Sequence, residues 1–193
     1  MRRQERPRDV IPARKHRWFT RWFTAQARGR LRRTFSSVRV QGLDALRALT
    51  DAEPLVVVSN HTAWWDPLVV LYLQELLANE TYAMMNAQNL ERLPFFALVG
   101  AFGVDVANPA DGASAMRYAA RLLDRPRRLV WIFPQGAERP VTLRPLGFRL
   151  AAPRSRGSRS AARCPSAFAT SSAATSARSC WCASVSPSRR SVT

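Results

Sequence analysis

The chain has 193 residues, which suits one domain of ordinary size, and a formal net charge of +17 at pH 7. Such a charge is typical of nucleic-acid-binding proteins, but here it is concentrated in the two flanks. Residues 1–40 carry 13 basic and 2 acidic side chains, residues 139–193 carry 10 basic and no acidic ones, and residues 41–138 carry 7 basic and 11 acidic ones. A mildly acidic middle argues against a folded surface for nucleic acid.

The first 16 residues are rich in Arg and Pro, and Val10 and Ile11 are their only larger aliphatic side chains. We expect residues 1–16 to form a disordered basic leader, because so few apolar groups cannot offset the entropy lost on ordering. The leader lacks the apolar centre of a secretory signal.

Residues 17–34 are predicted to form an amphipathic helix. Trp18 and Trp22 are four residues apart, as are Phe19 and Phe23, so each pair shares one helical face. Arginines flank these rings, as they do in helices that lie on anionic membrane surfaces. Packing of the same face against the protein's own domain explains the pattern equally well.

The centre of the sequence is an apolar, β-branched run at 55–58, followed by His61 and, five positions later, by Asp66. The run predicts a buried strand, and Asp66 before Pro67 predicts the start of a helix that continues over 68–78. A histidine near a carboxylate can take a proton from a hydroxyl group while the carboxylate fixes its tautomer. Alternatively, Asp66 is only the N-cap of the helix and His61 is a hydrogen-bonded core residue.

The rest of the chain alternates predicted strands and helices. Strands are predicted at 82–85 and 129–133 and a helix over 111–123. A strongly apolar helix is predicted over 94–102, which is shorter than the ~20 residues needed to span a bilayer. This alternation is typical of an α/β architecture. The polar loops that follow 55–58 and 129–133 can therefore meet at one edge of a sheet.

Three sequence blocks occur in order along this pattern. They are Asn60-His61 with Asp66-Pro67 four residues later, residues 90–96 with Gly103-Val104-Asp105, and the Ile-Phe-Pro-Gln-Gly sequence at 132–136. Together they resemble the signature of the glycerolipid acyltransferases, the lysophosphatidic acid (1-acylglycerol-3-phosphate) acyltransferase family. One block would be weak evidence, whereas three in the expected order and spacing are specific.

The resemblance implies an α/β fold like that of glycerol-3-phosphate acyltransferase, with a central mixed sheet flanked by helices. It implies transfer of an acyl group from acyl-CoA or acyl carrier protein to a hydroxyl of a lysophospholipid or glycerolipid-like acceptor. In that reaction His61 would be the general base and Asp66 would orient it. The implied acceptor-binding residues are Phe133, Pro134, Gln135, Gly136 and, as a weaker candidate together with Arg144, Arg139.

The resemblance also implies the partners of the protein. These are the thioester donor, a lipid acceptor and an anionic membrane surface, with no specific nucleic acid, no metal and no cofactor besides the donor. The implied location is the cytoplasm, on the inner face of the cell membrane. No segment of the sequence is a transmembrane candidate.

The chain departs from the family pattern where the acceptor's phosphate is expected to bind. Gln88 and Val106 stand where basic residues are usual, and the third block has Gln135 for Glu, Ala137 for Thr and Glu138 for Arg. A neutral amide or an aliphatic side chain cannot replace a charge-assisted hydrogen bond. We therefore expect acyl transfer, but not with lysophosphatidate as the preferred acceptor.

The C-terminal part has a different composition. We predict a truncated catalytic domain over 35–149 and, over 150–193, an Arg/Ser/Ala-rich tail that is disordered or translated in a shifted reading frame. Its Cys164, Cys180 and Cys182 are too few for a zinc site or a disulfide framework.

A shifted reading frame would leave the catalytic domain incomplete. Two alternatives to an active enzyme therefore stay open. One is a catalytically impaired, lipid-binding relative of the acyltransferases. The other, which leaves the three blocks unexplained, is a basic nucleic-acid-binding protein with Trp18 and Trp22 as stacking platforms.

Overall fold

The computed structural model of the chain describes residues 10–105, 109–140, 142, 143, 145, 147 and 185–189. Its helices are α1 (Arg17–Thr34), α2 (Leu43–Ala52), α3 (Asp66–Leu77), α4 (Ala87–Arg92), α5 (Phe95–Leu98) and α6 (Pro109–Leu122). Its strands are β1 (Phe35–Val40), β2 (Leu55–Val58), β3 (Glu80–Asn86), β4 (Ala101–Val104), β5 (Arg128–Ile132) and β6 (Val185–Arg189). Val106, Arg144 and the three cysteines lie outside the described residues.

The main sheet has four strands in the order β2-β5-β3-β4, and all three of its pairings are parallel. The last of these strands in sequence, β5, lies between β2 and β3, so the connection through α3 passes over the position that β5 fills. Strands β1 and β6 pair antiparallel and form a separate two-stranded sheet. The predicted fold class, α/β with a central sheet flanked by helices, is confirmed.

The strand β5 shows how the sheet is buried. Leu129 and Trp131 point to one face, where they pack with core residues of α2 and α3. Val130 points to the other face, where it packs with Ala115 and Ala119 of α6. Because both faces are covered, the strand reads as a continuous apolar run rather than as an alternating one.

The helix α1 packs on α3 through a narrow face. Its buried residues are Thr20, Thr24, Ala27 and Leu31. Three of them are small, which allows the two helix axes to approach closely. On the outer side, Trp18 and Trp22 remain 69% and 49% exposed.

The second aromatic pair of α1 faces inward. The Phe23 ring lies 5.5 Å from that of Phe95 and 6.1 Å from that of Phe96, both in α5. Phe19 stacks on Phe23 at 6.0 Å. Both interpretations of this helix therefore have a structural counterpart, since the phenylalanines pack on the domain while the tryptophans face outward.

The predicted helix over 94–102 is wrong in its second half. The helix α5 ends at Leu98, and Gly100 has a φ of +108°, which favours glycine and breaks the helix. Strand β4 then begins at Ala101 and pairs with β3, and Phe102 becomes completely buried. Parallel pairing supplies hydrogen bonds and burial that a longer helix would forgo.

The prediction of disorder is wrong for residues 10–16. Ile11 and Gly103 exchange two backbone hydrogen bonds of 3.0 and 2.9 Å, which adds a bridge at the edge of β4. The amides of Arg14 and His16 donate to the carbonyls of Ala97 and Leu98. This N-terminal segment is therefore held against the edge of β4 and the end of α5, and residues 1–9 lie outside the described residues.

The C-terminal tail is described only at β6, whose five residues pair with β1 from Val40↔Val185 to Phe35↔Arg189. Disorder of the tail stays a prediction. The rest of 150–193 lies outside the described residues, so the shifted reading frame stays a prediction. Among the described residues, none of the helices combines the length and the hydropathy that a membrane span requires.

Candidate active site

The loops that follow β2 and β5 meet because the two strands are adjacent and in register. Val58 and Ile132 are paired at the ends of the strands, and the Ser59 amide donates to the Ile132 carbonyl at 3.0 Å. His61 and Gln135 each come three residues after this last pair. Equal offsets along parallel strands bring these two residues face to face at the carboxyl edge of the sheet, where α/β proteins build their sites.

His61 and Asp66 are hydrogen-bonded. The distance between His61 Nδ1 and Asp66 Oδ2 is 2.8 Å, and each side chain is 20% exposed. A carboxylate oxygen can only accept, so Nδ1 carries the hydrogen in this pair and Nε2 of the neutral ring is the basic nitrogen. The Phe133 ring lies 4.8 Å from the imidazole and restricts its orientation.

The N-cap interpretation of Asp66 is wrong. Asp66 is the first residue of α3, and the amides of Leu68 and Val69 in the first turn donate to the carbonyl of Trp65 instead. The Asp66 carboxylate accepts from residues that precede the helix, the amides of Thr62 at 2.7 Å and Ala63 at 3.2 Å. Asp66 thus stabilises the loop that carries His61 as well as the imidazole itself.

The backbone of His61 is held by the loop after β5. Its amide donates to Gln135 Oε1 at 2.6 Å, and its carbonyl accepts from the amide of Arg139 at 2.8 Å. Gly136 lies in the turn between Gln135 and Arg139, and its φ of +66° favours glycine. The third sequence block therefore positions the histidine of the first.

A cavity of about 400 Å³ extends from His61 across the α3 side of the sheet. Its upper end is formed by His61, Phe133, Gly136, Ala137 and Glu138. Its walls are mostly apolar and come from α3, β3, α5 and the start of β4, and they include Val70, Leu71, Met84, Met85, Phe96, Val99 and Ala101. This volume lies within the usual range of small-molecule sites, about 300–1,000 Å³.

The predicted acceptor-binding residues are not all placed at this cavity. Phe133 and Gly136 line it, whereas Pro134, Gln135 and Arg139 are not among its lining residues. Gln135 is only 2% exposed and its Oε1 accepts from the His61 amide, so it holds the backbone of His61, and its contact with the acceptor stays a prediction.

The cavity walls could not be predicted from the sequence. Met84, Met85, Val70 and Leu71 have the same apolar pattern whether they fill a core or line a cavity, so no sequence signal distinguishes the two cases. Lys15, whose Nζ donates to the carbonyl of the lining residue Thr81, was placed in the leader that we expected to be disordered.

The structure thus places a His–Asp pair at the carboxyl edge of an α/β sheet, beside a mostly apolar cavity. The model of the acyltransferase family matches residues 37–167, which is more than half of the chain, and the protein belongs to that family. The matched range runs past residue 149, where we expected the catalytic domain to end. No curated protein and no solved structure matches the chain.

We predict that Gln135→Leu destabilises the site. The variant leaves the His61 amide without its acceptor, which typically costs about 1–3 kcal/mol, and at about 2–4 °C per kcal/mol for a chain of this size the melting temperature should fall by several degrees. Gln135→Glu is the matched control because it keeps an acceptor oxygen. Thermal melts should rank the wild type highest and Gln135→Leu lowest, and equal melting temperatures for all three would contradict this role.

Proposed function

We propose that the protein transfers an acyl group from an acyl-CoA or acyl carrier protein thioester to a hydroxyl of a lysophospholipid or glycerolipid-like acceptor. The observation that carries the proposal is the position of His61, whose ring is held by Asp66 through Nδ1 at the end of an apolar cavity. Membership of the acyltransferase family supports acyl transfer as the type of reaction.

In the proposed mechanism His61 is the general base. Its Nε2 takes the proton of the acceptor hydroxyl while the hydroxyl oxygen forms a bond to the thioester carbonyl carbon. The resulting tetrahedral intermediate expels the thiol group, which leaves with the proton from the imidazolium. Asp66 stabilises the imidazolium between the two steps. The products are an ester and a free thiol, and His61 is neutral again.

The acyl chain of the donor would occupy the cavity. Its apolar walls fit a hydrocarbon chain, because each buried methylene contributes about 0.8 kcal/mol of transfer free energy. The thioester carbonyl would then lie near His61 and Gly136, where the cavity meets the loop after β5. Gly136 has no side chain and so permits close approach of the substrate to the backbone.

The charges at the upper end of the cavity disfavour a phosphate monoester as part of the acceptor. Glu138 is exposed and lines the cavity, in the position where the family pattern has an arginine. Gln88 is exposed and neutral. A dianionic phosphate would therefore face a carboxylate instead of a guanidinium, and like charges at short distance repel.

We predict that the enzyme releases thiol from palmitoyl-CoA faster with neutral or zwitterionic acceptors, such as monoacylglycerol or lysophosphatidylcholine, than with lysophosphatidate. Glu138→Arg should raise the relative rate with lysophosphatidate several-fold, because it restores a bidentate phosphate partner. A wild-type rate that is highest with lysophosphatidate would contradict the acceptor assignment. Binding of fatty acid without thiol release for any acceptor would contradict the enzyme and indicate a lipid-binding protein.

The outer face of α1 supports binding to an anionic membrane surface. Trp18 and Trp22 project from one side of the helix, and the exposed Arg17 and Arg21 lie between and beside them. Indole rings favour the boundary between headgroups and acyl chains, and arginines are attracted to anionic lipids. A lipid acceptor could then reach the cavity from the membrane, since α5, which packs against Phe23, also contributes Phe96 to the cavity wall.

We predict that the double change Trp18→Ala/Trp22→Ala weakens co-sedimentation with phosphatidylglycerol vesicles on the order of tenfold or more, since a buried large apolar side chain contributes about 1.5–3 kcal/mol. Met116→Ala is the control, because Met116 is also exposed but belongs to α6 on the opposite face of the sheet. Unchanged binding of the tryptophan variant, or equal losses for both variants, would contradict a membrane-binding role for α1.

A further inference from the structure

The chain contains a single lysine, Lys15, whose side chain lies against Thr81 and Gly100, two residues that line the cavity. The neighbouring amides of Arg14 and His16 are hydrogen-bonded to the carbonyls of Ala97 and Leu98, which fixes the segment beside α5. The Lys15 side chain then extends between α3 and β3.

The ammonium group of Lys15 has specific partners there. Its Nζ donates to Gln74 Oε1 of α3 at 2.6 Å and to the Thr81 carbonyl of β3 at 2.5 Å, and it lies 4.9 Å from the centre of the Tyr82 ring. Gly100 leaves room for this arrangement. A Cβ atom at Gly100 would lie 3.4 Å from Lys15 Cδ and only 2.7 Å from the Thr81 carbonyl oxygen.

Three of the residues beside Lys15 form the end of the cavity that is remote from His61. Thr81, Tyr82 and Gly100 line the cavity, and Asn86 lines it at the other end of β3, on the side of His61. A strand rises about 3.3 Å per residue, so the five steps from Thr81 to Asn86 correspond to roughly 16 Å. A chain that starts near His61 and follows β3 would therefore reach Lys15.

We propose that Lys15 closes the inner end of the cavity and limits the length of the acyl chain that the enzyme accepts. The inference rests on the proposed acyl-transfer function, since it assigns the cavity to the acyl chain. No other residue of the N-terminal segment needs to contact the substrate.

The chemistry of the ammonium group makes it an effective barrier. A longer hydrocarbon chain would have to displace Nζ from Gln74 and Thr81, which would leave the buried ammonium group without these two acceptors, whereas Gln74 Oε1 would keep its bond from the Thr81 amide. Burial lowers the pKa of Lys15 from 10.5 to about 8, with the carboxylate of Glu80 opposing the decrease. Lys15 therefore remains largely charged at neutral pH, and an apolar chain end gains nothing from contact with it.

The test measures equilibrium binding of saturated fatty acids from octanoate to stearate, and the kcat/KM values of the corresponding acyl-CoA thioesters. The full-length wild type is compared with Lys15→Ala, with Lys15→Met, which keeps much of the bulk without the charge, and with Arg14→Ala. Arg14 is the matched control, because its side chain is exposed and its backbone bond to Ala97 survives the change.

For the wild type, affinity should rise with chain length up to a limit and then stop rising. In Lys15→Ala the chain-length limit should increase by two or more carbons. At about fourfold per additional buried methylene, the first chain beyond the wild-type limit should then bind on the order of tenfold more tightly. Lys15→Met should give a smaller shift in the same direction, and Arg14→Ala should match the wild type.

The inference would be overturned if the chain-length limit were unchanged in folded Lys15→Ala or Lys15→Met. It would also be overturned if Arg14→Ala shifted the limit equally, or if the wild type bound no fatty acid. Its failure is distinguishable from that of the proposed function. If thiol is released while the chain-length limit is the same in the wild type and the Lys15 variants, the proposed acyl transfer is supported and the role of Lys15 is wrong. If fatty acids bind with a limit that Lys15 sets and no thiol is released with any acceptor, the role of Lys15 is supported and the proposed reaction is wrong.

Discussion

The site depends on one constraint, the parallel pairing of β2 with β5. The two strands come from distant parts of the sequence, yet Val58 and Ile132 end them at the same level. Hydrogen bonding between the strands therefore fixes the distance between the loops that follow. If the pairing slipped by one residue, His61 would lose its alignment with Gln135, and the alternation of β5 between the two cores would be reversed.

Given this constraint, the imidazole is held from several directions before any substrate binds. Gln135 and Arg139 hold the amide and the carbonyl of His61, while Asp66 holds Nδ1 and the amides of the connecting loop. Such preorganisation is what a general base needs, since misplacement by about 1 Å can cost on the order of a hundredfold in rate. The cavity begins at the same point, so one set of backbone contacts positions both the base and the space beside it.

The sequence allowed the fold class, the strands β2 and β5 and the meeting of their loops to be predicted, because apolar runs that end in polar residues report strands and their ends directly. It did not allow the N-terminal segment or β4 to be predicted. Ile11 and Gly103 stabilise each other across a long sequence separation, and local composition describes neither partner. The role of Gln135 was missed for a similar reason, since a buried side chain that accepts from a distant amide looks in sequence like a polar loop residue.

We propose that His61 and Asp66 act as one catalytic unit. The most direct test measures thiol release from palmitoyl-CoA by the wild type, His61→Ala, Asp66→Asn and the double variant. We expect His61→Ala to slow the reaction on the order of 10²–10⁴-fold and Asp66→Asn also to slow it, at a nearly unchanged melting temperature. The double variant should be no slower than His61→Ala, because the effects of groups that act as a unit are not additive. An active Asp66→Asn enzyme, or losses that multiply in the double variant, would contradict the proposed catalytic pair.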